Sequence, residues 1–142
     1  MIFPRRFATC LVALTLPLAG GNSAAGTLAW SAAHTSPAIS RTQQSIVVEY
    51  AAAPAIAQVS GLARIERVHA SVSYRSGAQV QTQLCWNGTS RCVPMIAGQF
   101  NTDAFKGLDA AKPLYLVHRV PGEGLVQPPL FVKGEVIVWY TP

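Results

Sequence analysis

The sequence predicts an all-β domain, an antiparallel β-sandwich, from three observations. Short runs rich in β-branched and aromatic residues alternate apolar with polar side chains, as strands with one buried face do. Glycine, proline and asparagine separate these runs at regular intervals, which is typical of tight turns. No segment carries a convincing apolar stripe with the 3.6-residue period of a helix. About seven or eight short strands of this kind favour a sandwich, with a β-barrel as the alternative.

The first residues predict a secretory signal peptide. Arg5 and Arg6 precede an apolar run over residues 7–18, and small residues offer a cleavage site after Ala25. The apolar run is shorter than the roughly 20 residues that span a bilayer. We therefore expect a cleaved signal over residues 1–25 and a single exported domain over residues 26–142, with no membrane span after cleavage.

Two cysteines remain after the signal is removed, because Cys10 leaves with it. An even pair in an oxidising compartment predicts a disulfide. Cys85 and Cys92 bracket Asn87 and Gly88, a pair that readily adopts the positive φ angles of a tight hairpin turn. The sequence therefore predicts a β-hairpin closed by a Cys85–Cys92 disulfide.

The two arms of this hairpin have different expected environments. Alternation along residues 79–86 places Leu84 and Trp86 on the core face and Cys85 on the outward face. The bridge is therefore expected on the solvent side of the sheet. Pro94 has no N–H to donate, so the returning arm should be an edge strand or carry a bulge.

Three strands are predicted before the hairpin, and they cover Thr27–Ala33, Ser45–Tyr50 and Arg64–Tyr74. The polar segment His34–Gln44 is predicted as a loop. Ala51–Leu62 is rich in alanine but contains proline and glycine, so it is predicted as a loop or a single helical turn.

After the hairpin, Phe100–Lys112 is predicted as a connection that allows one helical turn near residues 108–111. Leu114–Val120 is predicted as a strand, and Pro121–Gly124 reverses the chain. Leu130–Thr141 is predicted as a closing hairpin. The closing hairpin is expected to turn at Gly134. Its returning strand should direct Val138 and Tyr140 inward and Trp139 outward.

The spacing of chemically active residues predicts no catalytic, cofactor-binding or metal-binding group. His34, His69 and His118 stand far apart, without the spacing of metal ligands. His34 is expected in a loop and His69 on an outward strand face, whereas His118 is expected in the core with one ring nitrogen hydrogen-bonded. No nucleophile elbow or phosphate-binding glycine loop occurs, and the bridge leaves no free thiol in the mature chain.

The charge pattern argues against nucleic-acid binding. The formal net charge is +5, but the basic residues of the mature domain are scattered singly, without a run and without interleaved aromatic residues. A solvated surface explains this pattern better than a nucleic-acid interface does.

Four segments of the carboxy-terminal half resemble the flagellar FlhE family. In chain order they are Leu84–Val93 with its two cysteines, Ala104–Leu114, Val120–Gly124 and Glu135–Tyr140. The resemblance implies a small periplasmic β-sandwich, immunoglobulin-like and similar in fold to the pilus chaperones. It also implies an accessory role in flagellar assembly, with a protein partner in the type III export apparatus or the rod. In that role the protein limits leakage, protons included, through the apparatus.

Two surface regions are the candidate partner contacts. Trp139 is the first, because an outward tryptophan can contribute strongly to an interface, and a last strand at a sheet edge would also allow strand addition. The second is the turn and proline segment, whose candidate residues are Gly122, Glu123, Gly124, Pro128 and Pro129. A generic periplasmic binding module, either fimbrial-chaperone-like or glycan-binding, is the alternative function, and a small secreted hydrolase is the weakest. The sequence leaves the oligomeric state open.

Overall fold

The computed structural model describes residues 28–58 and 60–142. The predicted signal peptide, residues 1–25, lies outside the described residues, so cleavage after Ala25 stays a prediction. Ten strands and one short helix occur in the described part: β1 (Leu28–Thr35), β2 (Ile39–Arg41), β3 (Ile46–Tyr50), α1 (Pro54–Ala57), β4 (Arg64–Ser73), β5 (Gln81–Trp86), β6 (Cys92–Pro94), β7 (Gln99–Thr102), β8 (Leu114–Arg119), β9 (Leu125–Leu130) and β10 (Lys133–Thr141).

Two four-stranded antiparallel sheets enclose the main core, which confirms the predicted all-β sandwich. The front sheet has the strand order β1-β10-β4-β7, and the back sheet has the order β3-β8-β5-β6. Strands β2 and β9 form a separate two-stranded sheet. This small sheet covers a second core, in which Ile39, Val126, Leu130 and Val132 pack against side chains from both large sheets.

Alternation along the strands produces the main core, as the sequence predicts. Val136, Val138 and Tyr140 of β10 are buried, and so are Leu114 and Leu116 of β8 on the facing sheet. Burying one large aliphatic side chain contributes about 1.5–3 kcal/mol. The two facing sheets are therefore held together mainly by these apolar rows.

A β-bulge changes the phase of the alternation in β4. Val68 is buried, and Ile65, three positions earlier, is buried as well. The register against β10 shifts between Trp139 and Tyr140, because β4 contains one extra residue there, Glu66. Glu66 is thereby directed to the sheet surface, where its carboxylate lies 3.4 Å from the Lys106 amine.

Strands β2 and β7 correct the predicted organisation, since both lie in segments predicted as connections. Each has only three or four residues, of largely polar sequence. Short polar strands carry no alternation signal, and their hydrogen-bonding partners, β9 and β4, decide their structure. His34 is likewise found within β1 rather than in a loop. No helical turn forms near residues 108–111, where the backbone instead makes a bridge between Asp109 and Arg64.

The predicted closing hairpin is wrong: its returning strand exists within β10, but its first arm, predicted over Leu130–Lys133, does not, because β9 ends at Leu130 and β10 begins at Lys133. Strand β9 pairs with β2, whereas β10 pairs with β1 and β4, so the chain crosses from the small sheet to the front sheet after Leu130. Gly134 lies inside β10 and makes no turn. Its lack of a side chain serves packing, because a Cβ atom there would overlap the Tyr50 hydroxyl and lie 2.8 Å from Leu116 Cδ1.

The last strand is an interior strand, so strand addition at β10 is not available. The front sheet ends at β1 and β7, and the back sheet ends at β3 and β6. Strand β6 contains Pro94, which confirms that the returning arm of the disulfide hairpin is an edge strand.

The Cys85–Cys92 disulfide is confirmed, but its expected exposure is wrong. The two residues are direct cross-strand partners of β5 and β6, with their Cα atoms 4.0 Å apart. Cys85 is fully buried even though its face is turned away from the main core. Strand β5 is interior, so the cross-strand neighbours of Cys85, Cys92 on one side and Tyr115 on the other, cover it.

We predict that Gly134→Ala destabilises the fold by about 1–3 kcal/mol, the usual cost of overpacking a core. Tyr50→Phe removes a buried hydroxyl that has no hydrogen-bond partner in the described structure. It should therefore be tolerated alone and should recover part of the loss when combined with Gly134→Ala. Urea unfolding of the two single variants and the double variant measures this coupling. Equal costs of Gly134→Ala in both backgrounds would contradict the contact.

We also predict that reducing the Cys85–Cys92 bridge lowers the free energy of unfolding. The bond joins residues seven positions apart, and for a closed loop of about eight residues the chain-entropy model gives about 2.5 kcal/mol. Urea unfolding of the wild-type chain with and without a reductant measures the difference while leaving every side chain in place. Free thiols in the protein isolated without reductant would contradict the bridge.

Candidate functional site

The described residues contain no group of three or more histidine, cysteine, aspartate or glutamate side chains that could hold a metal ion. Within the same ranges, no helix is long and apolar enough to cross a membrane.

His118 is a core histidine, as the sequence predicts. Its side chain is fully buried on β8, and its Nδ1 atom lies 2.9 Å from the Thr82 hydroxyl. The Nε2 atom has no hydrogen-bond partner within the described part of the chain. Burial lowers the pKa of His118 to about 4, so the imidazole is neutral at physiological pH. A neutral ring enclosed in this way cannot exchange a proton with a ligand on the surface.

Asp109 organises the loop that closes one end of the sandwich. Its carboxylate accepts hydrogen bonds from the Ser60 hydroxyl and from the backbone N–H groups of Gly61 and Ala111, all at 2.8–2.9 Å. Burial acts to raise the pKa of this carboxyl, but these hydrogen bonds and the charge of Lys112 outweigh it and lower the pKa. Ser60 and Gly61 lie in the connection before β4, and Ala111 lies in the connection before β8, so Asp109 joins these two connections and has a structural role.

Two tryptophans attach the core to this loop. The Trp30 indole N–H donates to the Ala110 carbonyl at 2.9 Å, and the Trp86 indole N–H donates to the Asp109 carbonyl at 3.0 Å. The predicted core position of Trp86 is therefore confirmed in part, because the ring is half-buried and packs against the main core.

Trp139 lies on the outer face of the front sheet, the face turned away from the back sheet, as predicted. The ring is half-buried, with the Arg67 guanidinium stacked 4.4 Å from the ring centroid. Glu66 and Thr141 complete the lining of a surface depression of about 560 Å³ around the pair. Arg67 is exposed, and a cation–π contact at an exposed site is worth roughly 0.5–1 kcal/mol. The depression thus presents one orientated aromatic ring beside a cation.

The rest of this outer face carries mostly small or polar side chains. His69 lies two residues from Arg67 along β4, and its Nδ1 atom lies 2.9 Å from the Asn101 side-chain oxygen. The end of the face near Lys133 forms a shallow depression of about 490 Å³, which Ser71 and Ser73 help to line. Trp139 is therefore the main aromatic feature of a largely polar surface.

The turn and proline segment, residues 122–129, forms the second candidate surface. Thr42 donates its hydroxyl to the Gly124 carbonyl at 3.1 Å, and the Gln43 amide donates to the Gly122 carbonyl at 3.0 Å. The Gln43 side-chain oxygen accepts a hydrogen bond from Arg119. Glu123 is exposed between these two anchored glycines. Two side chains of the connection between β2 and β3 thus hold the turn in place, and Arg119 of β8 supports one of them.

The prolines are held separately, on β9. The Arg75 guanidinium donates to the Pro128 carbonyl at 2.8 Å and to the Pro129 carbonyl at 3.3 Å. Beside them is a depression of about 530 Å³, and Leu125 on its lining is 62% exposed. This segment is therefore a fixed apolar surface despite its irregular sequence.

The structure does not bring the two candidate surfaces together. Strand β10 begins at Lys133, next to β9, and Trp139 lies six residues further along, which corresponds to about 20 Å at the rise of a strand. Arg67 and Arg75, which shape the two surfaces, were not singled out from the sequence. An isolated arginine carries no signal, since only the tertiary fold places it beside an aromatic ring or a carbonyl.

Comparison with known proteins supports the resemblance noted in the sequence. Residues 44–141 match the family model described as flagellar protein FlhE. Over 62 residues the chain is 44% identical to the flagellar protein FlhE of Escherichia coli (strain K12). That alignment covers 43% of this chain and 46% of the relative, slightly less than half of its length. A crystal structure of FlhE superposes with a TM-score of 0.68 and 28% identity, covering 83% of this chain and 100% of the other.

The buried histidine predicts a pH dependence of stability. The pKa of His118 falls from 6.5 to about 4 on folding, so between these values the unfolded chain binds a proton that the folded chain does not. Stability should therefore decrease as the pH falls through this window, by up to about 3 kcal/mol from this group.

Urea unfolding at about pH 7 and about pH 4.5 tests this linkage. His118→Gln should show a smaller difference between the two conditions than the wild-type chain does. His69→Gln, which replaces a histidine on the outer face, is the matched control and should retain the wild-type difference. An unchanged pH dependence in His118→Gln would contradict the assignment.

Proposed function

The chain belongs to the FlhE family of flagellar proteins, and from this premise we propose that it is a periplasmic accessory protein of flagellar assembly. It binds a component of the type III export apparatus, or a substrate on the rod side, and limits leakage through the apparatus, protons included. The observation that carries the proposal is the family match over residues 44–141.

The periplasmic location is supported by the disulfide. Bonds such as Cys85–Cys92 form and persist in oxidising compartments and are rare in the cytosol. The predicted signal peptide over residues 1–25 agrees with export. Both features suit a protein that acts on the periplasmic side of the inner membrane.

The mode of action is binding by surface complementarity. The two cores hold the sandwich rigidly, and the buried histidine and the buried carboxylate of the described structure, His118 and Asp109, make internal hydrogen bonds. A rigid surface binds without the entropic cost of ordering loops. Strand addition at the last strand is not part of the mechanism, because β10 is paired on both sides.

The Trp139 depression is the primary contact in this proposal. Tryptophan and arginine are over-represented among residues that dominate binding energy, and here they are stacked on each other. Arg67 fixes the ring and leaves a charged edge that can pair with an acidic group of the partner. The segment around Gly122, Glu123, Gly124, Pro128 and Pro129 is a second contact. Its distance from Trp139 requires either an extended partner or two partners.

Deletion of the gene tests the biological role. The deletion strain should show altered swarming and an altered cytoplasmic pH, and the pH effect should disappear in cells that lack flagellar basal bodies. If the deletion changes neither property, the flagellar role is wrong. Dependence on the basal body separates leakage through the apparatus from a general defect of the envelope.

Complementation of that strain tests the contact surface. Trp139→Ala should restore the phenotype less well than the wild-type gene, because it removes the stacked ring. Ile96→Ala, at a side chain that is 88% exposed in the loop before β7, is the matched control and should complement fully. Periplasmic levels of both variants must equal the wild-type level. Full complementation by Trp139→Ala would reject the contact while leaving the flagellar role intact.

A further inference from the structure

The edge of the front sheet at β1 is the longest sheet edge of the described structure, and its strand is regular. Strand β1 has eight residues and pairs with β10 without a break, from Leu28 opposite Tyr140 to Thr35 opposite Lys133. No described strand pairs with its other side. In an antiparallel sheet, every second residue of such a strand directs its N–H and C=O groups away from its one partner. Among the described residues, strand β1 therefore presents a row of backbone donors and acceptors that no other strand pairs with.

The other sheet edges carry the features that normally prevent further pairing. Proteins protect edges with short strands, prolines, charged side chains or bulges. The protecting features here are the four-residue length of β7, Glu49 in β3, Pro94 in the three-residue β6, Arg41 in the three-residue β2, and Pro128 and Pro129 in β9. Strand β1 has no proline, no formally charged side chain and no bulge.

We propose that β1 is the contact between two copies of this chain, paired antiparallel across a two-fold axis. The axis passes near Ser31 and Ala32, perpendicular to the front sheet. The two front sheets then join into one continuous eight-stranded sheet. Because the axis is perpendicular to the sheet, residues whose side chains point to the same face lie opposite each other across the contact. The outer face of one front sheet therefore continues into the outer face of the other.

The side chains of β1 favour a second copy over a foreign segment. The residues around the proposed axis, Ser31, Ala32 and Ala33, are small, so two copies can approach closely. Their small size also leaves no deep side-chain pockets along the middle of the edge, and such pockets are what select a foreign strand. Although the chain has a net charge of +5, the seam brings no formal charges together. A second β1 matches this edge in length and neutrality.

The proposed seam also covers apolar surface that is otherwise exposed. Leu28, at the start of β1, is 48% exposed. An additional strand alongside β1 would cover part of its side chain, together with the edge of His34, whose ring centroid lies 5.2 Å from that of Tyr50. The Trp139 surfaces of both copies would then lie on the same face of the joined sheet. The pairing itself does not depend on what Trp139 binds.

Sedimentation equilibrium of the disulfide-intact chain over a range of concentrations tests the proposal. The wild-type chain should reach the mass of a dimer. Ser31→Lys and Ser31→Glu should each weaken self-association by about tenfold or more, because like charges meet near the axis. An equal mixture of the two variants should recover the dimer through opposite charges. Gln99→Lys, on the outer face of the opposite edge of the same sheet, is the matched control and should behave as wild type.

Hydrogen exchange of the wild-type chain provides a test that needs no variant. Alternate β1 amides should exchange more slowly as the protein concentration rises, whereas β7 amides should not respond. A wild-type chain that remains monomeric at its solubility limit would overturn the proposal. So would a dimer that Ser31→Lys leaves unchanged, since it must use another surface. Protection of β1 only after an extended segment of another protein is added would assign the edge to that segment instead.

Discussion

The position of β10 between β1 and β4 is the constraint on which the rest of the structure depends. Its inward side chains, Val136, Val138 and Tyr140, form the central row of the main core. Gly134 in the same strand leaves the space that the Tyr50 ring occupies from the back sheet. Because both sides of β10 are paired, Trp139 can be presented only from the outer face. The same pairing leaves β1 as the open edge.

Each polar group inside the sandwich has a structural role and a protonation state that its surroundings determine. His118 is held neutral by burial and bonds the Thr82 hydroxyl, while burial raises the pKa of Tyr50 to about 12. Asp109 keeps its charge because three donors surround it. These arrangements stabilise one conformation and expose no reactive group.

The family assignment and the tertiary structure address different parts of the function. The match to FlhE concerns most of the chain and identifies a flagellar protein. The fold then determines which surfaces such a protein can offer. The Trp139 depression and the proline segment are separated by the length of β10, and the open edge of β1 lies beside the first of them. A dimer through β1 would present two Trp139 surfaces in one plane, which increases avidity for a repetitive or ring-shaped assembly.

The sequence by itself determined the features that depend on residues adjacent along the chain. Alternation identified the inward residues Leu84 of β5 and Val138 and Tyr140 of β10, the Asn87–Gly88 turn located the disulfide hairpin, and Pro94 identified an edge strand. Four spaced segments were enough to identify the family. These signals are local. The faces of a strand, the geometry of a turn and the absence of a backbone N–H in proline all depend only on adjacent residues.

Only the tertiary structure decided which strands pair, and several predictions were wrong for that reason. Nothing local in Leu130–Thr141 distinguishes a hairpin from a crossover, so Gly134 was expected in a turn. Cys85 is buried because β5 has strands on both sides, and Arg67 meets Trp139 because the pairing of β4 with β10 places these two residues, 72 positions apart in the chain, directly opposite each other. Pairing between distant strands depends on the whole set of competing partners, and that information is not contained in any one segment.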